Sequence, residues 1–221
     1  MRLSALAHPV AGHGRLCRVL VPDARLRNTW VRPPTLTGYG KITGCRADLL
    51  RLGALIRMAA SSPHSAVHVP LRKNDLADEI AYWFRDVEPV DLLIIRKDIG
   101  LRPSAWPELR AGFRRRASEA RPLTLRTPEP RAPHYIQDDR ISLTEHAGTL
   151  MISGPASALH QVGDVMTEAG ELIASNRDIH QWGHAILSSL TWILRGDGGA
   201  PQGTEFDIYG LDPIFHKARW A

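Results

Sequence analysis

The chain has 221 residues, 43% hydrophobic and 23% charged, a balance that excludes collagen, a disulfide miniprotein and wholesale disorder. No apolar run approaches the ~18 residues a membrane helix needs; the best candidate, 185–194, is interrupted by two serines and a threonine. The formal charge of +5 conceals a split, with +11 over residues 1–131 and −6 over residues 132–221. Such asymmetry points either to an anionic partner for the first part or to charge complementarity between the two parts. The basic residues are 24 Arg and 4 Lys, and guanidinium groups make planar, bidentate contacts to phosphate or carboxylate. Near the start, His8 and Pro9 cut short the apolar stretch 3–7, so no secretory leader is expected. Cys17 and Cys45 suit free thiols in a reducing, cytoplasmic compartment.

In chain order, 18–21 and 41–43 read as short strands separated by a loop rich in Pro, Gly and Thr. Over 46–59, Leu49, Leu52 and Ile56 recur at i, i+3 and i+7 with Leu55 beside them, which predicts an amphipathic helix. A strand is expected at 66–71. Asn74 or Asp75 then caps a helix with an acidic first turn (Asp75, Asp78, Glu79) and a stripe of Leu76, Ile80, Trp83 and Phe84, closed by Pro89. The unbroken apolar run 92–95 has the character of a strand covered on both faces. Ser104 is placed to cap a helix with Trp106, Leu109 and Phe113 on one face and Pro107 in its first turn.

Four prolines between 121 and 133 predict an extended linker, dividing a basic lobe (1–120) from an acidic one (134–221). Beyond it, 141–143 and 149–153 form a hairpin around His146, Ala147 and Gly148, followed by a helix over 156–173. Ser175 or Asn176 caps a second helix, 177–194, with Ile179, Trp182, Ile186, Leu190 and Ile193 facing inward and Gly196 stopping it. A last strand is expected at 206–209. Residues 42–59 also lie on 152–169 without a gap, with identities at Ile42/Ile152, Gly44/Gly154, Leu49/Leu159, Gly53/Gly163 and Ala59/Ala169. The shared pattern is a strand ending at a small residue and glycine, then a helix whose central glycine lets another backbone approach. The expected fold is thus α+β, two small lobes of strands and amphipathic helices with an internal duplication.

The richest functional segment is 96–131, with ten basic residues against four acids. On a helix, Arg115 points away from the Trp106, Leu109, Phe113 stripe and Arg114 and Arg116 flank it, a fan suited to a phosphate backbone. Arg96, Lys97, Arg102, Arg110, Arg114, Arg115, Arg116 and Arg121 are the candidate nucleic-acid-binding residues. The alternative is an arginine-rich helix that is merely solvated, or that pairs with the acidic C-terminal part. His180 and His184, spaced i, i+4, are a weak metal pair. They lack a zincin glutamate and need Asp178, His160 or Asp164 as third ligand. His8, His13, Cys17 and Cys45 match no common zinc spacing. Asp138, Asp139, Glu145 and His146 offer acid–base groups of a kind short turns carry routinely. The segment 37–43, TGYGKIT, fails as a P-loop because Thr35 and Ile42 stand where Gly and Ser/Thr are required. No dinucleotide fingerprint, G-x-S-x-G elbow or C-x-x-C occurs, and no cofactor is implied. The expectation is a non-catalytic binding protein that contacts nucleic acid or another polyanion through its arginine-rich helix. The alternatives are a protein-interaction subunit or regulator of a larger assembly, or a metal-dependent hydrolase built on His180 and His184.

Overall fold

The computed structural model describes residues 2–34, 38–75, 81–84, 87–126, 139–194 and 204–211. The protein is α+β, built on two sheets. The larger contains β1 (Arg2–His13), β2 (Leu16–Pro22), β5 (Ser65–Val69), β6 (Asp91–Arg96), β7 (Arg121–Arg126), β8 (Ser142–His146) and β9 (Thr149–Gly154), in the order β7-β1-β2-β5-β6-β9-β8. The smaller contains β3 (Thr29–Arg32), β4 (Tyr39–Cys45), β10 (His184–Ser189) and β11 (Glu205–Leu211), ordered β10-β11-β4-β3. Helices α1 (Arg46–Ser61) and α3 (Ala156–Leu172) pack on each other, and both touch strands of both sheets. One apolar core joins them, running from Leu20 and Val67 of the large sheet through Leu52 and Val162 to Ile42 and Ile208 of the small one. Helix α2 (Trp106–Arg115) covers the other face of the large sheet, and the short α4 (Arg177–Trp182) precedes β10. No described helix is long and apolar enough to cross a membrane.

Strand order repeats between the sheets. β8-β9-β6-β5 matches β3-β4-β11-β10 with the same orientations: antiparallel at β8/β9 and β3/β4, parallel at β9/β6 and β4/β11, antiparallel at β6/β5 and β11/β10. Where α1 and α3 cross, the glycines aligned in the sequence meet. A Cβ on Gly53 would lie 2.6 Å from the Gly163 carbonyl oxygen, and one on Gly163 2.8 Å from that of Gly53. Arg57 closes this crossing from α1, its Nη1 donating to Gly163 O (2.9 Å), Asp164 Oδ1 (3.2 Å) and Thr167 Oγ1 (2.6 Å).

Several elements differ from expectation. The stretch 121–126 is not linker but β7, paired antiparallel with β1; among the described residues it is an edge strand, the position in a sheet where proline is tolerated. The remainder of the proline-rich stretch, 127–133, lies outside the described residues. A basic lobe separated from an acidic one is replaced by interleaving, because β6 pairs in parallel with β9, and β11 with β4. The helix expected over 177–194 stops at Trp182: Gly183 takes the left-handed conformation (φ 80°), its N–H returns to Ile179 O, and the chain continues as β10 against β11. Ile186 therefore points to solvent rather than inward. Ser104 caps nothing by its side chain, a 3-10 turn over Pro103–Ala105 leading into α2 instead. Of the helix expected after Asn74, residues 76–80 lie outside the described residues and Tyr82–Phe84 form a 3-10 turn.

Candidate anion cleft

Three buried side chains of α2, Trp106, Leu109 and Phe113, seat it on Val19, Ala66, Leu93, Ile95 and Met151 of the large sheet, as the apolar spacing predicts. Trp106 Nε1 donates to Thr149 Oγ1 (3.1 Å), which also accepts from Arg110 Nη1 (3.0 Å) one turn along. Arg110 Nη2 donates to Ala147 O (3.1 Å), and Nη1 lies 3.5 Å from the Asp91 carboxylate. This arginine is thus held at the N-terminal ends of β6 and β9 rather than swept through solvent.

Behind Arg110, Asp91 Oδ1 accepts the backbone N–H groups of Leu71 and Arg72, both at 2.9 Å, and Oδ2 lies 3.4 Å from His68 Nε2. Burial would raise the Asp91 carboxyl, but bonds from His68 and from the Arg72 and Leu71 amides hold it below its ordinary value. An ionised Asp91 requires the His68 proton on Nε2, and His68 Nδ1 has no hydrogen-bond partner among the described residues. Burial lowers the His68 pKa against the pull of Asp91, and Arg110 and Arg114 lower it further. His8, 4.9 Å from Phe113 ring to ring, is lowered by burial and by His68.

In front of Arg110 opens a cleft of about 260 Å³ lined by Arg25, Pro70, Arg72, Lys73, Asp91, Arg110 and Arg114. Among the described residues, five cationic side chains from three separate segments line the cleft with one carboxylate. Arg25 is oriented by its Nε bond to Asn74 Oδ1 (3.1 Å) and an Nη2 bond to Lys73 O. Asn74 is itself buried, donating to Leu26 O (2.6 Å) and Thr29 O (2.8 Å). Arg72 reaches Glu88 at the rim (2.8 Å), whereas Arg114 has no hydrogen bond or ion pair among the described residues. Burial lowers the Arg110 pKa, with repulsion from Arg114 and Arg72 adding and Asp91 opposing. Among the described residues, the cleft therefore gathers positive charge that Asp91 and Glu88 only partly balance.

The seven arginines and one lysine expected to bind nucleic acid do not gather in one place. Arg96 chelates Asp98 (2.9 and 2.6 Å) at the C-terminal end of β6, roughly 17 Å of strand from Asp91. Lys97 and Arg102 follow at that same end, exposed. Arg116 lies 3.9 Å from Glu119, Arg115 is exposed, and Arg121 opens β7 beside β1. Only Arg110 and Arg114 meet in the cleft. Arg25, Arg72 and Lys73 were missed because they sit in loops far from α2 in sequence, and only the adjacent Arg72–Lys73 pair is a local signal.

The metal pair is also corrected. His180 is in α4 and His184 opens β10 beyond the left-handed Gly183, so they do not share a helical face. Asp164 is paired with Arg57 and His160 contacts Ser61, and no group of three His, Cys, Asp or Glu suited to a metal occurs among the described residues. Cys17 lies on the large sheet and Cys45 is buried on the small one. Glu145 and His146 are exposed on β8; Asp139 accepts from Ser157, and Asp138 lies outside the described residues.

A second polar cluster lies on the small sheet. Lys41 Nζ sits 5.5 Å from the Tyr39 ring centroid and 4.7 Å from that of Tyr209, and the two phenol oxygens are 2.7 Å apart. Burial, with Arg32 adding and Asp207 opposing, pushes the Lys41 amine down to about 8. No protein-family model, curated protein or solved structure matches this chain.

Proposed function

We propose that the protein is a non-catalytic binding protein for nucleic acid or another polyanion, which it holds in the cleft between α2 and the loops carrying Arg25, Arg72 and Lys73. The observation that carries this reading is the convergence of five cationic side chains on about 260 Å³. Arg110 and Arg25 are pre-oriented by bonds to neutral acceptors, so little side-chain order has to be imposed on binding. Arg115, exposed beside Arg114 on the same helix, extends the surface outward. The test is fluorescence anisotropy with a labelled single strand over a series of salt concentrations. Binding is expected to weaken linearly in log salt, and Arg72→Ala, Lys73→Ala and Arg114→Ala each to lower the slope by ~1. Absence of binding at low salt, or unchanged affinity in the triple variant, overturns the reading.

A second reading, a protein-interaction subunit, is supported by a different observation. β10 is an edge strand among the described residues and contains no Lys, Arg, Asp, Glu or Pro, the residues that ordinarily protect such edges. Ile186 on it and Trp182 beside it are 58% and 59% exposed. Light scattering tests self-association through this edge: a species that stays monomeric at all concentrations and salts counts against it, and an oligomer dispersed by Ile186→Lys favours it.

A further inference from the structure

We infer that the cleft selects ribonucleotide over deoxyribonucleotide strands, a ribose 2′-hydroxyl donating to Asp91 Oδ2 while the adjacent phosphate lies on Arg114 and its cationic neighbours. This rests on the binding reading above and goes beyond it by naming the class of nucleic acid.

Among the described residues, one acid lines the cleft. A seat for phosphate alone gains nothing from a carboxylate in its lining, because the two like charges repel. Asp91 nonetheless lines the cleft beside Arg110 and Arg114. Its two oxygens are used unequally. Oδ1 is saturated by two backbone N–H groups at 2.9 Å, which tie the Leu71–Arg72 loop to the sheet. Oδ2 has only long contacts, 3.4 Å to His68 Nε2 and 3.5 Å to Arg110 Nη1, against the ~2.8 Å of a well-made charged hydrogen bond. Acceptor capacity therefore remains on Oδ2, the oxygen next to Arg110, in a carboxylate that is largely buried yet lines the cleft.

An ionised carboxylate accepts and never donates, so the ligand group facing Asp91 must be a donor. Because Arg110 lies 3.5 Å from the same oxygen, that donor must also sit close to the ligand's anionic group. In RNA the 2′-hydroxyl is on the carbon next to the one bearing the 3′-phosphate, which makes it the donor nearest a phosphate. DNA has no such group, and this hydroxyl is what lets a protein tell the two apart. The size agrees: about 260 Å³ falls below the ~300–1,000 Å³ of sites for drug-sized ligands and suits one sugar–phosphate unit of a single strand. Thr149 Oγ1 and Ala147 O hold Arg110, so the spacing between donor and acceptor is built in before the ligand arrives.

The experiment compares single strands of one sequence as RNA, DNA and 2′-O-methyl RNA by anisotropy at one low salt concentration, with a free nucleoside 3′-monophosphate as competitor. RNA is expected to bind ~10-fold more tightly than DNA or the 2′-O-methyl strand, since the last two lack the donor. Asp91→Asn is expected to retain binding while reducing the preference to within ~3-fold; should this variant fail to fold, the ligand-side comparison decides alone. Equal affinity for RNA and DNA, or for RNA and its 2′-O-methyl form, overturns the inference and leaves the binding reading standing. Competition by the monophosphate without binding of any strand overturns it too, assigning the cleft to a free nucleotide. No binding of any of the four overturns the binding reading itself.

Discussion

Replacing Gly53 by alanine inserts a methyl group where the α1 and α3 backbones meet. The new Cβ would stand 2.6 Å from the Gly163 carbonyl oxygen and 3.1 Å from the Thr167 amide nitrogen, neither of which can escape by changing rotamer. Ordinary contact begins near 3.4 Å, so the helices must part by roughly 0.8 Å. Parting also stretches the bonds from Arg57 to Gly163 O and Thr167 Oγ1, leaving a buried guanidinium less well satisfied. Helix propensity alone favours alanine by about 1 kcal/mol, overpacking costs about 1–3 kcal/mol, and the strained charged bonds add to that cost; we expect a net loss of ~2 kcal/mol. Gly112 in α2 provides the control, because its Cβ would meet only Arg116 Nη2, at 3.7 Å, and Gly112→Ala is expected to stabilise by up to ~1 kcal/mol. Urea unfolding followed by far-UV circular dichroism measures both, with equal slopes as the condition for comparison. A Gly53→Ala protein as stable as the parent would refute the close crossing and the role given to the paired glycines.

Other outcomes follow from buried titratable groups. His8 and His68 are both held neutral by burial, so below their ordinary value of 6.5 the unfolded chain takes up protons that the folded one refuses. Stability should be level well above that value and fall as the pH drops through it, and His8→Gln should flatten the fall measured by urea midpoints. Lys41, lowered from 10.5 to about 8, works in the same direction at higher pH: folding should strengthen as pH rises from 8 towards 10.5. After reductive ¹³C-methylation, one lysine signal, lost in Lys41→Met, is expected to titrate near 8; a set that all titrates at the ordinary lysine value excludes the buried amine.

Local sequence determined a good part of this protein. The spacing of Leu49, Leu52, Leu55 and Ile56 made α1, the run 92–95 made β6, and Trp106, Leu109 and Phe113 chose the buried face of α2. These are properties of a few consecutive turns or residues, read correctly because period and burial coincide there. The aligned glycines Gly53 and Gly163 also pointed to close approach of another backbone, which the structure shows at their mutual crossing.

Tertiary structure decided the rest. Pro122 lies in a strand only because β1 offers its edge, and Ile186 leaves a helical stripe because Gly183 turns left-handed and β11 waits to be paired. The cleft belongs to the same class. Its charges come from positions 25, 72–73 and 110–114, joined by a carboxylate on β6, and nothing within one segment records that they will meet. Local periodicity encodes which face of an element is buried; which charged loops are carried together depends on strand order, and strand order is set by pairings between residues far apart in the chain.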